Sequence, residues 1–162
     1  MQRPNFDVYY GKMAVLAATR ATCPRGHVGA VIVVDNRLVT TGYNGSPPGR
    51  AHCTDIGCYM IDGHCERTIH GEENAIAQAA RQGISIAGGM IYVHLQILTT
   101  ANYREAEGVA CRNCQQMIVA SGLAEVICVN SEGIPYWRKL AKDLDWTYQA
   151  EVEPLAIKET HV

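Results

Sequence analysis

Two hydrophobic periods alternate along this chain. From residue 5 to about residue 20, Phe6, Tyr9, Tyr10, Met13, Leu16 and Ala17 recur at helical spacing. Residues 28–34 are a continuous β-branched run, as expected for a strand covered on both faces. Asp35-Asn36 is a tight-turn pair, and residues 37–43 return as a second strand. Residues 42–57, rich in Gly, Pro and Cys, read as a loop. The helical period resumes over 68–82, where Gly83 can end it. A third strand follows at 89–95, then a helix at 111–121 with Gly122 behind it, and a fourth strand at 125–130. The pattern predicts a helix over 135–144, and the alternation of 146–152 predicts an edge strand. Residues 96–108 fit a lid, a short helix or an extended strand end. After the opening hairpin, strands and helices alternate, which predicts an α/β sandwich with helices covering a mixed sheet.

At 162 residues, the chain is expected to form a single domain, 1–162, around one core. Apolar residues make up 48%, an ordinary globular share. The net charge of −2 and the lack of a basic run argue against a nucleic-acid partner. No apolar run is long enough to span a membrane, and the first residues carry no apolar signal core. A cytoplasmic location is therefore expected. Seven cysteines in a reducing compartment point to metal binding before disulfides.

Two short motifs carry the chemistry. His70-Gly71-Glu72 and Cys111-Arg112-Asn113-Cys114 supply one imidazole, two thiolates and one carboxyl group. His70, Cys111 and Cys114 would fill three corners of a zinc tetrahedron and leave the fourth to water, the mark of a catalytic site. Residues two apart on a helix point about 200° away from each other, so His70 and Glu72 can serve one point only at the first turn. Glu72 lies on an apolar stripe with Ile69, Ile76, Ala79 and Ala80, where desolvation would raise its pKa. Cys111 and Cys114 share one side of a helix start, whose positive end favours thiolates. The set is that of a hydrolytic deaminase: zinc lowers the pKa of water to roughly 7, and Glu72 carries protons. A Cys-x-x-Cys alone would equally suit a redox pair or half of a structural zinc site, but neither has use for a His-x-Glu at a second helix start.

With these motifs, the stretches Cys23-Pro24-Arg25-Gly26-His27-Val28-Gly29-Ala30, Gly42-Tyr43-Asn44-Gly45-Ser46-Pro47 and His70-Gly71-Glu72-Glu73-Asn74-Ala75-Ile76 make the chain similar to the deoxycytidylate (dCMP) deaminases of the cytidine-deaminase-like superfamily. The resemblance spans residues 6–146. It implies a three-layer α/β/α sandwich with a five-stranded mixed sheet, conversion of dCMP to dUMP and ammonia, and a homo-oligomer. It places Asn44 near the nucleotide and Arg25 at a phosphate contact, although a solvated arginine would look the same in sequence. It leaves room for dCTP or dTTP effectors with Mg²⁺. Gly71 replaces the usual alanine, Ala110 replaces the usual proline, and the 96–108 link is long. A modified cytosine nucleotide or another amino-heterocycle therefore stands as an alternative substrate. The catalytic motifs also permit tRNA adenosine deamination, against which the absence of basic surface counts. A non-catalytic zinc module would not need Glu72.

Cys23, His52, Cys53, Cys58, His64 and Cys65 gather soft ligands near the front of the chain. Some relatives hold a structural zinc here, with cysteines at the positions of Cys23 and Cys53. The expected second set is Cys23, Cys53, His64 and Cys65, with Cys58 or His52 as substitutes. The alternative is a group of buried thiols packing as small hydrophobes. Cys128 reads as core.

Overall fold

The computed structural model describes residues 3–61, 63–98, 103–105 and 110–144. Helix α1 (Phe6–Ala18) opens the chain, capped by the Asn5 side chain, which accepts the Val8 N–H at 2.9 Å. Strands β1 (Gly26–Val34) and β2 (Arg37–Tyr43) form an antiparallel hairpin. Its turn residues Asp35 and Asn36 both have positive φ (49° and 56°), which matches the right-handed twist of the strands. A short helix α2 (Cys53–Ile56) interrupts the expected loop of residues 42–57, and a two-residue hairpin, β3 (Met60–Ile61) with β4 (His64–Cys65), follows it. Then follow α3 (Gly71–Gln82), β5 (Met90–Leu98), β6 (Tyr103–Glu105), α4 (Arg112–Ala120), β7 (Glu125–Val129) and β8 (Pro135–Leu140), with a 3₁₀ turn at Ala141–Asp143.

The main sheet runs β2-β1-β5-β7-β8, with β6 paired to the far end of β5. β5 and β7 are parallel and the other neighbours antiparallel, so the sheet is mixed. One face packs α1 against Val31, Val33, Tyr92, Ile127 and Val129. The other packs α3 and α4 against Ala30, Ile32, Ile91, Val93 and Val126. This is the three-layer architecture that the sequence implied.

The same topology sets the location of the site. β2 and β5 run in the same direction, each followed by a helix on the same face of the sheet. Both helix N-termini must therefore lie at the same end, beyond the carboxyl ends of the strands that feed them.

Three expectations need correction. Residues 135–140 form a strand, not a helix. Their burial alternates strictly, Tyr and Trp favour a pleated surface, and Asn130 Oδ1 accepts the N–H groups of Glu132 and Ile134 to turn the chain back antiparallel. α1 buries Tyr10, Gly11, Ala14 and Ala18, while Phe6, Tyr9 and Leu16 stay exposed. Small residues face the sheet because the helix lies directly on β1; a Cβ at Gly29 would overlap the Ala14 carbonyl and the Ala18 amide. On α3, the buried stripe is Glu72, Ala75, Ile76 and Ala79, with Ala80 outside it. The expected edge strand 146–152 lies outside the described residues, as does much of 96–108.

Gly42 of β2 brings α3 equally close. A Cβ there would overlap the Gly71 carbonyl and the Ala75 amide, both backbone atoms that cannot swing aside. Gly42→Ala is expected to cost about 1–3 kcal/mol or more of unfolding free energy, by overpacking, in urea denaturation followed by circular dichroism.

Candidate metal centre and active-site pocket

His70 and Cys111 are the N-cap residues of α3 and α4, both in extended backbone conformation (ψ 160° and 166°). An N-cap stands half outside its helix, so its side chain can cross the helix end instead of following the flank. The His70 cap is fixed from two sides. Its N–H donates to the Glu73 carboxylate at 3.0 Å, one arm of a capping box. The residue before it, Ile69, exchanges backbone hydrogen bonds with Gly45 at 3.0 and 3.2 Å.

The two caps meet. His70 Nδ1 lies 3.3 Å from Cys111 Sγ and 3.3 Å from Cys114 Sγ, and all three donor atoms fall within 4.8 Å of one another. A tetrahedral zinc with Zn–N near 2.05 Å and Zn–S near 2.3 Å requires N···S separations of about 3.6 Å. The donors fit with small relaxation. His70, Glu72 and Cys111 also line a cavity of about 330 Å³, so the group is open on the side where Glu72 stands.

The electrostatics suit cation capture. Contact with the Cys114 thiol, helped by His70 and opposed by burial, holds Cys111 down at about 3. Contact with Cys111 lifts His70 to about 9 against the cost of its burial. The same Cys111 contact and burial push Cys114 upward. Without metal, the pair of sulfurs thus gives up its first proton readily and keeps the second, and a divalent cation would displace it. Glu72 is 4% exposed, and burial raises its pKa, opposed by its own backbone N–H and by His70.

A second group lies nearby. Cys23, Cys53, Cys58 and Cys65 bring four sulfurs within 4.8 Å of one another, with Cys23–Cys58 at 3.8 Å and Cys53–Cys65 at 3.5 Å. The edge of a Zn–S₄ tetrahedron is about 3.8 Å. Cys58, named in sequence only as a substitute, takes the place expected of His64. Antiparallel pairing of β3 with β4 puts Cys65 opposite Met60 and turns adjacent side chains to opposite faces, so Cys65 joins the sulfurs while His64 does not. Burial pushes Cys53 up, whereas at Cys65 the backbone N–H groups of Arg67 and Tyr59 and the Cys53 thiol outweigh burial and bring it to about 7.

The pocket joins these groups to the predicted substrate residues. Arg25 and Asn44 line it, together with Val28, Val93, Leu95, Ile97, Ala110 and Thr68. The Asn44 amide is largely committed to β1: Oδ1 accepts the Val28 N–H at 2.7 Å and Nδ2 donates to the Gly26 carbonyl at 2.8 Å. The second Nδ2 hydrogen is not used by this bond. Sequence reading did not identify Thr68 or His64 as pocket-lining; no periodic signal marks them, since the β3–β4 hairpin that carries His64 is only two residues deep and Thr68 stands between it and α3. A larger groove of about 1110 Å³, between the first turn of α1 and the β1–β2 turn, contains none of the metal donors and lies at the other end of β1.

Residues 4–130 match the model of the family described as the cytidine and deoxycytidylate deaminase zinc-binding region. ComE operon protein 2 of Bacillus subtilis (strain 168) is 42% identical over 126 residues, covering 78% of this chain, which spans 60% of that protein's length. The deoxycytidylate deaminase of Mycobacterium phage D29 is 31% identical over 138 residues, 78% of this chain and 96% of the phage protein. Among solved structures, the dCMP deaminase of cyanophage S-TIM5 in complex with dCMP and dUMP aligns with a TM-score of 0.62 at 25% identity, covering 82% of this chain and 90% of that one.

The thiol chemistry can be checked directly. In zinc-stripped protein, iodoacetamide at pH 6 should label Cys111, ionised there because its pKa is near 3, and spare Cys128, which burial pushes up to about 12. Added zinc should protect Cys111, as read by peptide mass mapping.

Proposed function

The chain belongs to the family of cytidine and deoxycytidylate deaminases, and from that premise we propose that it hydrolyses dCMP to dUMP and ammonia with zinc held by His70, Cys111 and Cys114. The observation that carries this reading is the convergence of His70 Nδ1 with both sulfurs beside a buried carboxyl group, at the floor of a pocket. The deoxycytidylate deaminases among its relatives support the choice of substrate.

Bound zinc supplies a Lewis acid that makes water acidic enough to lose a proton near neutral pH. The chain's own residues do the rest. The apolar wall of Val28, Val93 and Leu95 excludes bulk water from the ring and confines it near Glu72. Glu72, held above the ordinary carboxylate range by burial, takes a proton from the attacking water. It hands that proton to the ring nitrogen beside the amino-bearing carbon, then takes the second proton from the newly added hydroxyl and gives it to the amine, so that the C–N bond breaks, ammonia leaves and the hydroxyl oxygen becomes the ring carbonyl. Asn44 offers its remaining N–H to the nucleotide, and Arg25, on the rim, offers a guanidinium to the phosphate.

Cys23, Cys53, Cys58 and Cys65 would hold a second, structural zinc. Four sulfurs close such a site completely and tie the loop after β2, the β3–β4 hairpin and the chain before β1 into one wall of the pocket. A homo-oligomer belongs to the same proposal. Phe6, Tyr9 and Leu38 are exposed around the larger groove and offer it an apolar surface that a second subunit could cover.

Zinc-loaded protein mixed with dCMP should release ammonia, with the accompanying change in ultraviolet absorbance. Turnover of cytidine and none of dCMP would reject the substrate. Glu72→Gln should keep its zinc and lose about 10²–10⁴-fold in kcat, the usual size of a positioned proton transfer. Cys58→Ser should lose one equivalent of zinc per chain by atomic absorption, and His52→Ala none.

A further inference from the structure

The two helix starts that carry the metal donors are held in different ways. At α4 no acidic side chain stands in the first turn, and the chain is held one residue before Cys111, where Gln115 bonds the Ala110 carbonyl. At α3 two consecutive acids follow His70 by two and three residues, and they turn different ways. Glu72 is buried and lines the cavity, whereas the Glu73 carboxylate reaches back to accept the N–H of His70 itself at 3.0 Å.

That bond completes the fixing of the donor's backbone. The His70 carbonyl accepts the Asn74 N–H at 2.9 Å as the first turn of the helix, and the preceding Ile69 is tied to Gly45. With N–H, carbonyl and incoming chain all engaged, the imidazole can move only by turning about its own side-chain bonds. An N-cap side chain ordinarily serves the orphan N–H groups of its helix. The Nδ1 of this cap is set against two sulfurs at 3.3 Å, and it is the carboxylate three residues on that ties the cap's N–H to the helix. Glu73 also brings charge: it is among the groups that push both His70 and Cys114 upward, so it adds negative potential at the point where a cation would sit. Among the described residues that line the cavity, Glu73 is not one, so its reach extends to the metal group and not to the substrate.

Resting on the metal centre of the reading above, we propose that Glu73 is a positioning residue: by holding the His70 N–H it presets the imidazole for zinc and sets the affinity of the catalytic site for its metal. A partner one hydrogen bond removed from a ligand typically accounts for about 10–100-fold in metal affinity.

The test compares wild type with Glu73→Ala, Glu73→Gln and Asn5→Ala, the last removing the cap of the distant helix α1. The zinc equivalent that His70→Ala removes is followed by competition with a chelator, alongside the Tm of the loaded protein and the KM for dCMP in excess zinc. Glu73→Ala should weaken that equivalent about tenfold or more and leave KM within about twofold. Glu73→Gln, whose side-chain oxygen can still accept the His70 N–H, should recover most of the loss. Asn5→Ala should lower Tm and leave zinc affinity at the wild-type value. Zinc affinity within about twofold of wild type in Glu73→Ala overturns the proposal. A Glu73→Gln as weak as Glu73→Ala overturns it in favour of charge alone, and an equal weakening in Asn5→Ala overturns it in favour of general stability. If His70→Ala removes no zinc, the metal centre is misassigned and the inference falls with it. If wild type holds that zinc and turns over no dCMP, the substrate reading falls and the role of Glu73 is still decided by the affinities.

Discussion

The metal centre at the floor of the pocket depends on two helix ends touching. His70 Nδ1 and the sulfurs of Cys111 and Cys114 are 3.3 Å apart, although 41 and 44 residues of chain separate them. Neither cap could make a site alone. Each helix end offers unpaired N–H groups and partial positive charge, which stabilise a thiolate or carboxylate there but specify no geometry. The geometry comes from the sheet. Two strands of one direction, each followed by a helix on the same face, leave the helix starts no other place to go. Glycine then brings the layers close: Gly42 brings α3 against β2, and Gly29 brings α1 against β1 from the other side. The sheet is thus clamped between helices that lie too close for a single added methyl group, which fixes how their ends approach one another.

The second sulfur cluster solves a different problem. The segment between β2 and α3 holds little that a hydrophobic core could use; Ile56, Tyr59, Met60 and Ile61 are all exposed. Burial of apolar area cannot order such a segment, yet it forms one wall of the pocket. Four thiols from three stretches of chain can do so, because metal ligation contributes a folding free energy that does not depend on core size. The division of labour is therefore between topology, which builds the floor of the site, and ligation, which would build its rim.

How far the sequence could be read follows the same division. The strands at 28–34, 37–43, 89–95 and 125–130 were legible because continuous apolar runs between glycine, Asn and Asp turns admit few other readings. The meeting of His70 with Cys111 and Cys114 was legible because residue chemistry and helix-start signals agreed. Side-chain periodicity misled in α1, where Phe6, Tyr9 and Leu16 form a plausible apolar stripe but Gly11, Ala14 and Ala18 face the sheet. There, close approach outweighed side-chain area, and a pattern that counts only hydrophobicity cannot register it. At 135–140, the apolar spacing suited a helix as well as a strand. The tie was broken by the Asn130 turn, a side-chain-to-backbone interaction outside the segment itself. The exchange of Cys58 for His64 is of the same kind, since a two-residue hairpin decides which of two adjacent side chains faces the sulfurs.

The two departures from the family pattern at the motifs have local physical grounds. At Gly71, a Cβ would lie 3.0 Å from Val28 Cγ1 and 3.1 Å from the Val28 carbonyl, tighter than ordinary contact. Val28 itself is tied down, since its N–H is held by Asn44 and its side chain lines the pocket. An alanine at 71 would therefore have to push a pocket wall, and glycine lets that wall stand closer to the metal group. At Ala110, where a proline would stiffen the approach to Cys111 by fixing φ, the backbone is held from the other side, with Gln115 Nε2 donating to the Ala110 carbonyl at 2.6 Å. Replacing a ring constraint with a hydrogen bond from the first turn of α4 couples the entry of the helix to the helix itself. In both places the residue that departs from the pattern is met by a contact from a neighbouring element, so the positions of Glu72 and Cys111 are kept by different local means.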